Sequence, residues 1–137
     1  MATILLNESD PVRHELLRLR LQRQGHKVWS ANHLNDIIAT LHDVGIDLMI
    51  LDLDQHNLDD LVAFADRWKG IKILFQASSL HAMRDFRSWM AEQFVEKFKN
   101  AENFSRVVAN LLQRKSWRLQ RSNELRKSYA AMQMAVA

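Results

Sequence analysis

Asp52 is the residue best placed for chemistry, because it interrupts an apolar run formed by residues 48–51 and Leu53. A short apolar run bounded by polar residues predicts a strand that is buried on both faces of a sheet. An acid at the carboxyl end of such a strand emerges where open α/β sheets bind their ligands. We therefore predict that the Asp52 carboxylate belongs to a functional site.

Further polar residues follow other predicted strands, and the carboxyl ends of parallel strands share one edge of a sheet. The residues predicted at this edge are Glu8, Ser9, Asp10, Asp52, Asp54, Ala77, Ser78, Ser79 and Lys97. They lie far apart in the sequence, so only the fold can bring them together. We expect Glu8, Asp52 and Lys97 to meet in one acidic pocket that the amine closes.

The elements that would position these residues are alternating strands and helices, because the apolar periodicity changes repeatedly between the two patterns. Strands are predicted over residues 3–7, 27–30, 48–52, 71–75 and 93–96, and helices over residues 11–24, 33–44, 59–68, 80–90 and 101–115. Five βα units predict an α/β fold with a parallel sheet that helices cover on both faces.

Capping residues indicate where the helices begin and end. Asp10 is a predicted N-cap before Pro11, and Gly25 is the expected stop of the first helix. Asp59 or Asp60 is expected to open the third helix, and Asn100 to cap the last one.

The composition bounds the class of protein. A chain of 137 residues with 47% hydrophobic and 26% charged residues suits one globular domain with a helical extension. It has no cysteine, which excludes disulfides, thiolate metal sites and a cysteine nucleophile. No segment has the pattern of a signal peptide or a membrane span, so we expect a cytoplasmic protein without membrane contact.

Over about residues 3–115 the pattern resembles the receiver domain of two-component response regulators. The resemblance implies a flavodoxin-like doubly wound sheet of order 2-1-3-4-5. In that family a histidine kinase phosphorylates the strand-three aspartate, an acidic pair helps to hold Mg²⁺, and a strand-five lysine pairs with the phosphoryl group. By position, the matches are Asp52 to the phosphoacceptor, Lys97 to the lysine, Glu8 and Ser9 to the acidic pair, Ala77 to a strand-four hydroxyl residue, and Phe94 to an aromatic switch residue.

The chemistry of these roles is physically consistent. A carboxylate that attacks a phosphoryl donor needs a cation beside the transferring oxygens, and Mg²⁺ takes carboxylate oxygens and water as ligands. Glu8, Asp52 and Asp54 are the predicted metal ligands. Lys97 would bind the phosphoryl oxygens or, in the resting protein, Asp52 itself.

The sequence departs from the family pattern at several positions. Ser9 replaces the second acid, which removes a negative charge and should weaken Mg²⁺ binding. Ala77 lacks the hydroxyl that follows the phosphoryl group, so Ser78 or Ser79 would have to substitute for it. Phe98 stands where a proline often follows the lysine.

Four interpretations remain open at the level of the sequence. The chain is a phosphorylated receiver, or a degenerate receiver that acts by protein contact alone. Asp52 and Lys97 also fit a purely structural buried ion pair, because buried charges need partners. Asp52 and Asp54 in addition resemble the DxD motif of haloacid-dehalogenase-type phosphatases, although that motif follows the first strand of their sheet. The receiver resemblance implies a regulatory module and not an enzyme.

The last third of the chain carries most of the excess charge within a formal net charge of +3. A basic tract over residues 114–127 contains Arg114, Lys115, Arg118, Arg121, Arg126 and Lys127. The tract has no glycine and one aromatic residue, Trp117, which favours a solvated helix over direct nucleic-acid binding. We expect residues 1–115 to form the receiver and residues 116–137 a helical linker or coiled coil that leads to an output domain and supports a homodimer. The predicted output surface includes Phe86, Trp89 and Phe104.

Overall fold

The computed structural model describes residues 1–68, 70–78, 93–97 and 101–113. The described strands are β1 (Thr3–Leu6), β2 (Lys27–Ser30), β3 (Leu48–Asp52), β4 (Lys72–Ala77) and β5 (Gln93–Glu96). The described helices are α1 (Pro11–Arg23), α2 (Leu34–Asp43), α3 (Leu58–Arg67) and α4 (Ala101–Gln113). The helix predicted over residues 80–90, the Asn100 cap and the extension 116–137 lie outside the described residues.

The strands form one parallel sheet in the order β2-β1-β3-β4-β5, as predicted. Strand β3 is central, between β1 and β4, and all of its residues are buried. Its last residue, Asp52, pairs in register with Gln76 of β4. The acid therefore lies at the carboxyl end of the central strand, which is the position that the apolar run predicted.

The core is divided by the sheet into two layers, because successive strand residues point to opposite faces. Leu48 and Ile50 of β3 face the layer of α1 and α4, whereas Met49 and Leu51 face the layer of α2 and α3. The helices supply Leu17, Leu21, Phe104, Val108 and Leu111 to the first layer, and Ile37, Leu61 and Phe64 to the second. Both faces are covered, as the continuous apolar run of β3 requires.

Helix α1 begins and ends where the sequence predicts. The Asp10 carboxylate accepts a hydrogen bond from the Val12 N–H at 2.9 Å, and Pro11 occupies the first helical position. Gly25 has a φ of 91°, and the His26 N–H reaches back to the Leu21 carbonyl at 3.2 Å. This is a Schellman ending, which needs the left-handed conformation that glycine adopts without strain.

Three expectations need correction. Helix α3 is capped by Asn57, whose side chain accepts the Asp59 N–H at 2.8 Å, and not by Asp59 or Asp60. Strand β4 extends to Ala77 because Gln76 and Ala77 pair with β5. Phe104 is only 2% exposed and packs in the α1–α4 layer, so it cannot belong to an exposed output surface.

Helix α1 also has an apolar stripe on its outer side. Val12, Leu16 and Leu19 are 71%, 62% and 39% exposed, whereas Leu17 and Leu21 are buried against the sheet. Their spacing of four and three residues places the exposed side chains on one face of the helix. None of the described helices is long and apolar enough to cross a membrane.

Candidate functional site

The predicted edge residues meet at the carboxyl end of the sheet. Glu8 and Ser9 follow β1, Asp52 ends β3, Asp54 lies in the next loop and Lys97 follows β5. Glu8 is 2% exposed, Asp52 0% and Lys97 6%. The structure therefore brings the three predicted residues Glu8, Asp52 and Lys97 into one buried cluster.

The Lys97 ammonium lies between three carboxylates. Its Nζ is 2.7 Å from Asp52 Oδ2, 3.3 Å from Glu8 Oε1 and 3.2 Å from Asp54 Oδ2. Burial by itself lowers the pKa of Lys97, but the hydrogen bond and charge of Asp52, with Glu8 and Asp54, outweigh burial and raise the pKa above its ordinary value. Lys97 is thus held as an ammonium ion.

The two oxygens of Asp52 have unequal numbers of partners. Oδ2 accepts the Ser9 hydroxyl at 2.9 Å and the Ser9 N–H at 3.3 Å, in addition to Lys97. Oδ1 accepts the Asp54 N–H at 2.9 Å. Oδ1 is therefore the less encumbered oxygen and the better placed nucleophile.

Asp54 covers this corner of the site. Its carboxylate accepts the Ser78 N–H at 3.2 and 3.1 Å and contacts the Lys97 ammonium, and its side chain is 35% exposed. It occupies donors that would suit the oxygens of a phosphoryl group on Asp52. Ser78 thus joins the site through its backbone.

Glu8 has a second set of partners that the sequence did not identify. The Gln76 Nε2 donates to Glu8 Oε2 at 2.7 Å, and the Arg13 Nε lies 3.3 Å from the same oxygen. The Arg13 Nη2 also donates to Gln76 Oε1 at 3.0 Å. A glutamine in the apolar run of β4 was the available signal, because a buried amide requires partners.

Asn7 is a further buried residue that the sequence patterns did not single out. Its Oδ1 accepts the Asp52 N–H at 3.1 Å and contacts the His56 Nε2 at 2.9 Å. Its Nδ2 donates to the Ala31 carbonyl at 2.9 Å and to the Asn32 carbonyl at 3.0 Å. Asn7 thus ties the Asp52 backbone to the ends of β1 and β2. Burial lowers the pKa of His56, although Asp52 opposes that shift.

The predicted switch positions are only partly in contact with the site. Ala77 is 1% exposed within β4 and contributes a methyl group where the family carries a hydroxyl. Phe94 is partly buried and meets Phe75 edge to face at 5.4 Å between ring centroids. Ser79 and Phe98 lie outside the described residues.

The donor set is of the kind that Mg²⁺ takes, because Glu8, Asp52 and Asp54 present convergent carboxylate oxygens. Across the part of the chain that the structure describes, no three His, Cys, Asp or Glu side chains are arranged to hold a metal ion. The ammonium of Lys97 lies at the point where the carboxylates converge. The residues therefore fit the ion by chemistry, and Lys97 competes with it for the oxygens.

The position of the acidic strand also bears on the phosphatase resemblance. Strand β3 is third in the chain and has two strands before it, whereas the DxD motif of those phosphatases follows their first strand. The cluster around Asp52 instead matches the positions expected for a receiver.

Comparisons with known proteins agree with this geometry. No family model and no curated protein matches the chain. Among solved structures, the response regulator TrrA of Thermotoga maritima in complex with Mg²⁺-BeF has a TM-score of 0.73 and 26% identity, and the match covers 81% of this chain and 99% of that one. TrrA bound to the histidine kinase ThkA has a TM-score of 0.73 and 27% identity, with 82% and 100% covered.

A third neighbour is the receiver domain of the response regulator TorR of a TMAO respiratory system, with a TM-score of 0.73 and 21% identity over 82% of this chain and 97% of that one. The sheet order, the buried acid and amine at its carboxyl edge and these neighbours lead to one assignment. The chain has the fold of the receiver domains of response regulators.

Proposed function

We propose that this receiver accepts a phosphoryl group on Asp52 from a histidine kinase and thereby regulates an attached or partner output domain. The observation that carries the proposal is the Lys97 ammonium 2.7 Å from the Asp52 carboxylate at the carboxyl end of the central strand. A fixed positive charge beside a carboxylate suits both the resting acid and its phosphorylated form.

The reaction assigns one role to each side chain. Asp52 Oδ1 attacks the phosphorus, a new O–P bond forms, and the P–N bond to the kinase histidine breaks with its electron pair returning to the imidazole nitrogen. Lys97 and the Ser78 N–H stabilise the charge on the transferring oxygens. Mg²⁺, when bound by Glu8, Asp52 and Asp54 with water, supplies further positive charge at those oxygens.

The resting site must open before this reaction. Asp52 is fully buried, and Asp54 and the Ser9 hydroxyl cover it. Both covering residues belong to loops, so their movement leaves the strands in place. Lys97 then exchanges its bond to Asp52 for one to the phosphoryl group.

The same closure favours a second candidate, a degenerate receiver that signals by protein contact without phosphorylation. Ala77 offers no hydroxyl to follow the phosphoryl group, and the resting hydrogen bonds already satisfy both Asp52 oxygens. A ligand shifts a conformational equilibrium only through differential contacts, and Ala77 removes one of them.

Incubation with Mg²⁺ and acetyl phosphate distinguishes the two candidates. We expect a phosphoryl adduct by intact mass in the wild type and none in Asp52→Asn, which keeps the size of the side chain and one acceptor oxygen but removes the nucleophilic carboxylate. Beryllofluoride should likewise change the NMR spectrum of the wild type alone. No adduct and no beryllofluoride response in a folded wild type would support the degenerate receiver.

The exposed stripe of Val12, Leu16 and Leu19 supports a helical kinase partner. It lies on α1, which begins beside the site, and an apolar helix face of this kind packs against another helix. TrrA, a structural neighbour, forms a complex with a histidine kinase. We expect Leu16→Ser to slow phosphotransfer from a histidine kinase and to leave the acetyl phosphate reaction unchanged. Equal slowing of both reactions would contradict docking at this stripe.

We further propose that residues 1–115 form the receiver and residues 116–137 connect it to its output domain or to a second copy. The mass in solution of the full chain and of a chain ending at residue 115 tests this. A dimer that only the full chain forms supports a coiled coil, whereas a monomer in both cases contradicts it.

A further inference from the structure

We propose that Arg13 is a resident counter-ion for Glu8, which competes with Mg²⁺ and sets a low affinity of this site for divalent cations. The inference rests on the proposed function, because it concerns the cation that assists phosphoryl transfer at the same carboxylates. It assigns a role to Arg13 of α1, a residue that the proposed phosphotransfer does not use.

Both carboxylate oxygens of Glu8 have hydrogen-bonding or charged partners. Oε2 accepts the Gln76 amide at 2.7 Å and lies 3.3 Å from Arg13 Nε. Oε1 accepts the Asp10 N–H at 3.1 Å and the Lys97 ammonium at 3.3 Å. Both oxygens of this carboxylate are therefore engaged within the protein, and a metal ion would have to displace at least one of these partners.

Gln76 holds Arg13 in this position. It is fully buried on β4, donates to the Asn7 carbonyl at 3.2 Å, and accepts the Arg13 Nη2 at 3.0 Å through Oε1. A buried amide that is hydrogen-bonded to Asn7 and Glu8 after β1 and to Arg13 on α1 has little freedom to move. Arg13 is itself only 13% exposed, so solvent screens its charge weakly. The arginine is thus a fixed positive charge on the side of Glu8 opposite Lys97.

The charge balance of the site follows from these contacts. Glu8, Asp52 and Asp54 contribute three negative charges, and Lys97 and Arg13 contribute two positive charges. One net negative charge remains, because Ser9 stands where the family resemblance leads one to expect a second acid. A divalent ion gains less from such a site than from one in which Glu8 faces a single cation.

The experiment measures cation binding with no phosphodonor present. Mn²⁺ binding to the full chain is followed by electron paramagnetic resonance, and Mg²⁺ affinity is obtained by competition. The variants are Arg13→Met, which removes the charge, Arg13→Gln, which keeps a hydrogen-bonding group towards Gln76 and Glu8, and Arg13→Lys, which keeps the charge. Arg23→Met is the matched control, because Arg23 is an exposed arginine in the last turn of the same helix.

We expect Arg13→Met and Arg13→Gln to bind both ions more tightly than the wild type, by roughly fivefold or more for the loss of one nearby unit charge. Arg13→Lys should remain near the wild type, and Arg23→Met should not change. The melting temperature provides a second measure: added Mg²⁺ should raise it further in Arg13→Gln than in the wild type, because tighter binding stabilises the folded state more.

Unchanged or weaker ion affinity in folded Arg13→Gln would overturn the inference, as would an equal gain in Arg23→Met. The absence of any Mn²⁺ binding in both neutral variants would also overturn it. These outcomes are separate from the acetyl phosphate test of Asp52. Tighter binding in the Arg13 variants of a protein that forms no adduct would uphold the counter-ion and refute phosphorylation.

Discussion

Two buried carboxylates contact the same ammonium, yet their remaining partners come from different parts of the molecule. Asp52 is held by the Ser9 hydroxyl and the Asp54 N–H, both of which belong to loops. Glu8 is held by Gln76 of β4 and Arg13 of α1. The contrast indicates that loop movement can uncover Asp52, whereas Oε2 of Glu8 stays tied to β4 and α1, although its Oε1 also accepts the N–H of the loop residue Asp10.

The largest predicted effect is that of Lys97→Met, because Lys97 is paired with both Asp52 and Glu8. The substitution removes the cation that Glu8 and Asp52 share and leaves both carboxylates buried. Breaking a buried ion pair in this way lowers the free energy of unfolding by about 3–5 kcal/mol. Urea unfolding should show this loss. A loss below about 1 kcal/mol would mean that Lys97 is not the counter-ion of these acids.

Gln76→Leu should have the next largest effect, because it replaces the buried amide that contacts Glu8 with an apolar side chain of similar size. Glu8 Oε2 and the Asn7 carbonyl each lose a donor, at a cost of about 1–3 kcal/mol per buried group left without a partner. Urea unfolding of this variant measures the cost. Unchanged stability would show that Arg13 alone satisfies Glu8.

Asp54→Asn tests the loop contacts that surround Asp52. Asp54 is partly exposed, and the asparagine that replaces it keeps one oxygen that can accept the Ser78 N–H. The expected loss of stability is therefore only about 0–1 kcal/mol. The same measurement on Glu8→Gln should give a clearly larger loss, since that side chain is buried. Equal losses in the two variants would contradict the difference between the loop contacts of Asp52 and the contacts of Glu8.

The smallest effect is expected from pH across the ordinary range. In the folded protein, burial lowers the pKa of Lys97, but Asp52, Glu8 and Asp54 raise it by more. The pKa therefore lies above its ordinary value of 10.5. Its contribution is therefore fully present below pH 10.5 and decreases as the pH rises through the folded pKa. The difference in unfolding free energy between wild type and Lys97→Met should stay constant from pH 7 to 10 and shrink above pH 10.5. A difference that already shrinks at neutral pH would contradict this.

The sequence predicted the strands around the site well, because continuous apolar runs and their bounding polar residues are local signals. It correctly indicated that Asp52 ends a buried strand and that Asp10 and Gly25 bound α1. The start of α3 was wrong because three neighbouring residues, Asn57, Asp59 and Asp60, can all cap a helix. Only the path of the chain selects Asn57.

The sequence predicted that Lys97 lies beside Glu8, but not that Arg13 and Gln76 contact it. Arg13 and Gln76 lie 63 positions apart, and nothing in their local patterns relates one to the other. Phe104 was misjudged for a similar reason, since an apolar side chain on an amphipathic helix has the same local signal whether it packs inward or binds a partner.

The amino-acid sequence alone determined the alternation of strands and helices, the burial of β3 and the position of an acid at its end, because these depend on periodicity and on turn residues a few positions apart. The tertiary structure decided which charges neutralise which. Electrostatic pairing depends on distances of a few ångströms between side chains, and the sheet order and the helix packing set those distances. The contacts of Glu8 with Arg13 and Gln76, and that of Lys97 with Asp54, therefore became visible only in the folded chain.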